Sequence, residues 1–168
     1  MEMSDDQLFR ASEADYGDSY RRDYLTMYQD YVASADAISS RRHNANSFFV
    51  TINTGLLGVT GYLGEEAGGL IWLTALAGIL LSYTWRKLIQ SYRSLNTAKF
   101  KVIHELEKNL PFSAYDKEWV HLKGGKDSKL HSPLSAVESR VPLVFMFIHA
   151  AVFLAKFLVW AQAGAGAA

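Results

Sequence analysis

Residues 46–63 read NSFFVTINTGLLGVTGYL, residues 68–85 read GGLIWLTALAGILLSYTW, and Gly64-Glu65-Glu66-Ala67 stands between them. A bilayer core about 30 Å thick is crossed by about 17–25 helical residues, which both stretches can supply. From Ser47 to Tyr83 the only charges are Glu65 and Glu66. Helices of soluble domains keep a solvated, charged face, and these have none. Glycine permits a turn between them, and the two acids mark its watery end. The stretch therefore predicts a tight antiparallel helical hairpin crossing a membrane.

A third stretch of the same kind is VPLVFMFIHAAVFLAKFLVW, residues 141–160, whose one charge is Lys156. Pro142 suits the first turn of a helix, where its missing N–H leaves nothing unpaired. Lys156 stands about one turn from the end and can reach the outer surface along its own stem. Trp72, Trp85 and Trp160 are expected at the interfaces as an aromatic belt. Basic residues set orientation. Every Lys and Arg except Lys156 lies before Asn46 or between Trp85 and Val141. The N-terminus and residues 86–140 are thus expected in the cytoplasm, and the 64–67 turn and the C-terminus on the outer, periplasmic side.

The flanks of the hairpin carry a different period. Tyr24, Tyr28, Tyr31, Ala35 and Ile38 alternate spacings of four and three, as an a/d packing seam does. Ile89, Tyr92, Asn96, Lys99 or Phe100, Ile103 and Leu106 approximate the same spacing. Two cytoplasmic arms, 20–45 and 86–110, are therefore expected to continue the spans and pair as a stalk. Leu110-Pro111 ends the second arm. Residues 111–140 form a connector with a short helix near 115–122 and a capping box at Ser135-x-x-Glu138 ahead of the third span. Residues 1–19 read as a flexible acidic tail and 161–168 as a disordered one. The fold class is an all-α membrane protein: a long hairpin with cytoplasmic extensions plus a third transmembrane helix.

Composition excludes several functions. The 168 residues hold 17 basic and 17 acidic groups and no cysteine. Disulfides, thiolate catalysis and cysteine-bound zinc are ruled out. Balanced charge argues against a nucleic-acid binder. The tyrosines from 16 to 31 could suggest base stacking, but Asp15, Asp18, Asp23 and Asp30 interleave with them, and such surfaces need basic neighbours. His104, Glu105, Glu118, His121 and His131 match no ligand spacing. No nucleophile pattern or phosphate loop is present, because Gly124-Gly125 lacks the flanking strand and helix. No enzyme, cofactor or metal is expected.

The polar residues at membrane depth carry what function the sequence reveals. Asn46, Asn53 and Thr60 are seven apart and share one helix face, which Arg42 extends toward the cytoplasm. Lipid satisfies no polar group, so this face meets protein or water. It can bond a neighbouring helix, or line a pore with Arg41 and Arg42 at its inner mouth; the first reading is favoured. Arg41 and Arg42 could also hold lipid phosphate or a partner's carboxylate, though a plain topology signal is the simpler role. Ala75, Gly78 and Ser82 are expected to pack closely, and His149 to be a hydrogen-bonded packing residue.

The run Tyr28-x-x-Tyr31, then Ile38-Ser39-x-Arg41-Arg42-x-x-Ala45-Asn46-Ser47-Phe48-Phe49-x-x-Ile52-Asn53-Thr54, resembles the bacterial RipA-like family of small cytoplasmic-membrane proteins, described as octameric. The resemblance is strongest over residues 20–60 and extends toward residue 160. It implies a homo-oligomer, an octamer, in the bacterial inner membrane, and a role in envelope physiology that in pathogens includes growth inside host cells. It carries no catalytic residue. The chain is also distantly similar to SLATT-type effector domains, proposed to form pores, but its third span and the lack of an attached sensor depart from them. The expected function is a structural or regulatory membrane assembly whose stalk binds a cytoplasmic protein partner, with membrane lipids around it. The alternative is a channel lined by Asn46, Asn53 and Thr60.

Overall fold

The computed structural model of the chain describes residues 8–63, 69–127 and 138–165. All regular structure among them is helical: α1 (Glu13–Tyr16), α2 (Tyr20–Leu63), α3 (Gly69–Glu107), α4 (Ala114–His121), a 3₁₀ turn (Lys123–Gly125) and α5 (Val141–Ala165). The three prolines, Pro111, Pro133 and Pro142, all lie outside α2 and α3. Nothing therefore interrupts the hydrogen-bond ladders of those two helices. At 1.5 Å per residue, α2 is about 66 Å long and α3 about 58 Å. Both exceed the about 30 Å of a bilayer core.

α2 and α3 lie side by side and antiparallel. Tyr24 meets Leu106, Asn53 meets Ser82, and Thr60 meets Thr74, so the register falls along one helix as it rises along the other. The 64–67 turn expected to join them lies outside the described residues. The seam residues of the arms face each other: Tyr24, Ala35 and Ile38 on α2, and Ile89 and Ile103 on α3, are buried. The core centres on Phe49, Trp85 and Ile89, with Leu81, Leu88 and Phe145 packed around them. The Phe49 and Trp85 rings stack at 5.7 Å between centroids. Phe145 brings α5 onto the same tryptophan at 6.0 Å.

One helix among the described residues is long and apolar enough to cross a membrane. It is Val141–Gln162, with a mean hydropathy of 2.2 and only 6% of its most apolar window buried, unlike the core helix of a soluble domain. Pro142 is fully buried in its first turn. Large apolar side chains are exposed on all three packed helices, Phe48 on α2, Leu73 and Leu80 on α3, and Phe147 and Leu158 on α5.

Several sequence expectations need correction. Residues 8–19, read as a flexible tail, contain α1, which Ser12 caps by accepting from the Asp15 N–H. Phe9 stacks on Tyr24 at 6.0 Å and Arg21 pairs with Glu13 at 2.7 Å. Aromatic packing on the exposed start of α2 holds a segment that its acidic composition alone would leave in water. At the other end α5 continues through Ala165, because alanine favours helix. Trp85 is no interfacial belt residue: it is 1% exposed, since Asn46 takes its indole N–H inside the bundle. Glu138 pairs with Arg42. Ser135, its expected capping partner, lies outside the described residues, as does His131.

Candidate functional site

A ladder of three polar contacts joins α2 to α3. Asn46 Oδ1 accepts from the Trp85 indole at 2.8 Å. Asn53 Oδ1 accepts from Ser82 Oγ at 3.0 Å, while Asn53 Nδ2 donates to the Phe49 carbonyl at 2.8 Å. Thr60 and Thr74 hydroxyls meet at 3.0 Å, and each also bonds a carbonyl of its own helix. Asn53 and Ser82 are both wholly buried. The seven-residue period of Asn46, Asn53 and Thr60 is thus the facing surface of a helix pair within one subunit. Polar groups in a low-dielectric setting cost free energy unless paired, and here the other helix pairs them.

Below the ladder lies a charged junction. Arg42 Nε stands 3.3 Å from Glu138 Oε2, with both side chains largely buried. The contact is an ion pair without hydrogen-bond geometry. It ties the residues just before α5 to α2. Arg41, beside it, is exposed.

The arms meet at a second node. Glu107 is 1% exposed, and its carboxylate accepts from Tyr28 Oη at 3.1 Å and from the Tyr115 and Asp116 N–H groups at 3.0 and 2.9 Å. The first N–H groups of a helix have no partner within it. Ser113, the N-cap of α4, makes no side-chain capping bond. Glu107 does that work from α3, and its negative charge suits the positive end of the α4 dipole. Tyr24 Oη donates to the Leu106 carbonyl one residue earlier. Burial, then the hydrogen bond and charge of Glu107, pushes the Tyr28 phenol up to about 12. Burial also raises the Tyr24 and Tyr115 phenols, the latter helped by the charge of Asp36. Tyr31 is half-buried beneath Lys99, whose Nζ stands 4.3 Å from its ring centroid and donates to Ser34 Oγ at 2.7 Å. Tyr24, Tyr28, Tyr31 and Ile38 of α2 therefore lie along the seam that faces α3.

α5 docks on α3 through a small residue. Gly78 lies directly against the His149 ring, and any Cβ there would occupy the ring's position. Ala75, Gly78 and Ser82 are all buried, which lets α5 approach. The expected hydrogen bond of His149 is absent: the residue is wholly buried and neither ring nitrogen has a partner. Near the other end of α3, Trp72 makes edge contacts with Phe153 at 4.8 Å and Phe157 at 6.1 Å, and these three with Trp160 line a shallow apolar cleft. Among the described residues no three His, Asp or Glu side chains gather as metal ligands.

Sequence reasoning missed Glu107, Arg86 and the glycines of α2. An acid a few residues before the helix break at Pro111 was the available signal for Glu107. Gly55, Gly58 and Gly61, spaced by three, are exposed, and a Cβ on any of them would meet nothing within 4 Å.

A long helix pair bonded through buried polar residues, with a strongly apolar third helix on it and large apolar side chains exposed around that helix, has the character of a membrane protein. Searches of curated proteins and of solved structures return no match. The family match does not bear on the SLATT-type similarity. It agrees with the expected octamer: the model of the octameric membrane protein family (8xMP) matches residues 25–158, most of the chain, and the protein belongs to that family.

Proposed function

We propose that the chain is the subunit of a homo-octameric assembly in the bacterial inner membrane, with a structural or regulatory role in the envelope. In this reading α2, α3 and α5 all cross the bilayer, with the N-terminus inside and the C-terminus outside. The paired arms project into the cytoplasm as a stalk that binds a protein partner, and the assembly catalyses no reaction.

The observation that carries the reading is the outward face of α2. Ser47, Thr51, Gly55 and Gly58 are exposed on the side away from α3, and the glycines face open space. Lipid tails are as apolar as leucine, so membrane helices associate where small residues let backbones approach. An unoccupied small-residue face fits a neighbouring subunit. Asn46, Asn53 and Thr60 bond α3 within the subunit, which favours assembly over a pore lined by them.

The test is the native mass of the purified protein in a lipid nanodisc. A single closed species of eight subunits is expected. A monomer or dimer would overturn the proposal.

A further inference from the structure

The junction beneath the ladder holds more positive charge than its partners neutralise. Trp85 bonds Asn46 at 2.8 Å, so Arg86, next to Trp85 on α3, and Arg42, one turn before Asn46 on α2, lie within about a turn of each other along the helix pair. Phe145, at 6.0 Å from Trp85, and Glu138, paired with Arg42, bring the start of α5 to that level too. Arg86 is half-buried, and its Nε is fully buried without a hydrogen-bond partner. Among the described residues no carboxylate forms an ion pair with it.

The sequence offers no other acid at this level. Between Ala37 and Leu63 on α2 there is none, and α3 has none before Glu105. From residue 128 to 140 the one acid is Glu138, already engaged by Arg42. Arg41, Lys87 and Arg140, all exposed, add three more positive charges around the same junction. A partly buried charge without a counter-charge is costly, and a guanidinium edge pairs best with the planar fork of two oxygens on a carboxylate or phosphate.

We infer that Arg86, with Arg42 beside it, binds a phosphate group at the junction of α2, α3 and α5, supplied by an anionic phospholipid of the cytoplasmic leaflet. The inference rests on the proposed membrane crossing of α2 and α3, which puts the junction at headgroup depth. Basic pockets between membrane helices on the cytoplasmic side are suited to anionic headgroups. Glu138 competes with the phosphate for Arg42 and so tunes the affinity of the site. The exposed Arg41, Lys87 and Arg140 attract the anion, and Arg86 holds it.

The full chain is reconstituted in nanodiscs of phosphatidylcholine alone or with phosphatidylglycerol, released in the mass spectrometer, and read for retained lipid and for subunit number. Wild type is expected to retain phosphatidylglycerol in preference to phosphatidylcholine. R86Q is expected to retain about five- to tenfold less, the loss of roughly one cationic contact, with R86K intermediate. E138Q moves the other way and retains more, which separates loss of the site from a folding failure. Inorganic phosphate that binds the lipid-free protein and displaces phosphatidylglycerol would assign the site to free phosphate. Equal retention of both lipids by wild type, or undiminished retention by R86Q, overturns the inference. Subunit number in the same spectra tests the octamer separately: a monomer that retains phosphatidylglycerol keeps the site and loses the assembly.

Discussion

Ser82 donates to Asn53 Oδ1 across 3.0 Å, with neither residue exposed, so the two helices are locked in register by a bond that water does not reach. The Asn53 amide nitrogen donates to its own helix, at the Phe49 carbonyl. Replacing Asn53 by alanine strands the Ser82 hydroxyl. The paired replacement N53A/S82A leaves nothing stranded. The coupling between the two, measured by a double-mutant cycle on thermal unfolding in detergent, is expected near 0.6 kcal/mol and no more than about 1.7 kcal/mol. A coupling of zero would mean that shape, not the hydrogen bond, sets the register.

The Tyr28–Glu107 contact predicts a pH response in the arms. The Tyr28 phenol is raised to about 12 from an ordinary value of 10.0. A group raised on folding stabilises the fold fully below its unfolded value, and that contribution is lost as the pH climbs through the folded value. The Tyr28 contribution to the paired arms should therefore be constant below about pH 10 and be lost between about 10 and 12. Hydrogen exchange of α4 is the readout, because Glu107 caps that helix. Y28F should flatten the response, whereas E107A should unprotect α4 at every pH, at a cost of about 1–3 kcal/mol for donors left unpaired.

The period-seven spacing of Asn46, Asn53 and Thr60 made one face of α2 legible in the sequence, as did the four-three spacing of Tyr24, Tyr28, Tyr31, Ala35 and Ile38. Their partners were less so. Which residues of α3 oppose them depends on the register of two long helices. A slip of one turn would have set Asn53 against Gly78 instead of Ser82. Trp85 was read as interfacial because tryptophan at the end of an apolar run usually is. Its burial depends on Asn46 being there to take its N–H. Glu107 acts on residues eight and nine positions later, across a turn, and no helical period connects them. The docking of α5 on α3 was out of reach, since periodicity fixes a face of a helix but not what covers it.

Gly78 and His149 show that limit and yield a third prediction. The imidazole fills the space that a Cβ at Gly78 would take. G78A is expected to force α5 outward and destabilise the subunit by about 1–3 kcal/mol, the usual cost of overpacking. H149A alone opens a cavity, yet it makes room for the added methyl, so the double variant G78A/H149A should be more stable than G78A. Thermal unfolding of the three variants in one detergent checks the order. A double variant no better than G78A would show that the crowding lies elsewhere.

The exposed glycines of α2 set the last prediction, which concerns the contact between subunits. Gly58 faces open space, and a Cβ there meets nothing within 4 Å in its own subunit. G58L should leave the subunit's own stability near wild type or slightly improve it, since leucine favours helix over glycine by up to about 1 kcal/mol. A neighbouring backbone against this face would be pushed away by the larger side chain, as close approach of membrane helices depends on small residues. The octamer should then dissociate on dilution at concentrations where wild type stays whole, while helix content is unchanged. Leu73 on α3 is also exposed to the surroundings of the subunit but carries a large side chain already. L73A, which enlarges no contact and removes no small-residue approach, serves as the comparison and should leave the octamer intact. If G58L and L73A weaken the octamer equally, the glycine face is not where neighbours meet. If neither does, the subunits join through α5 or through the arms.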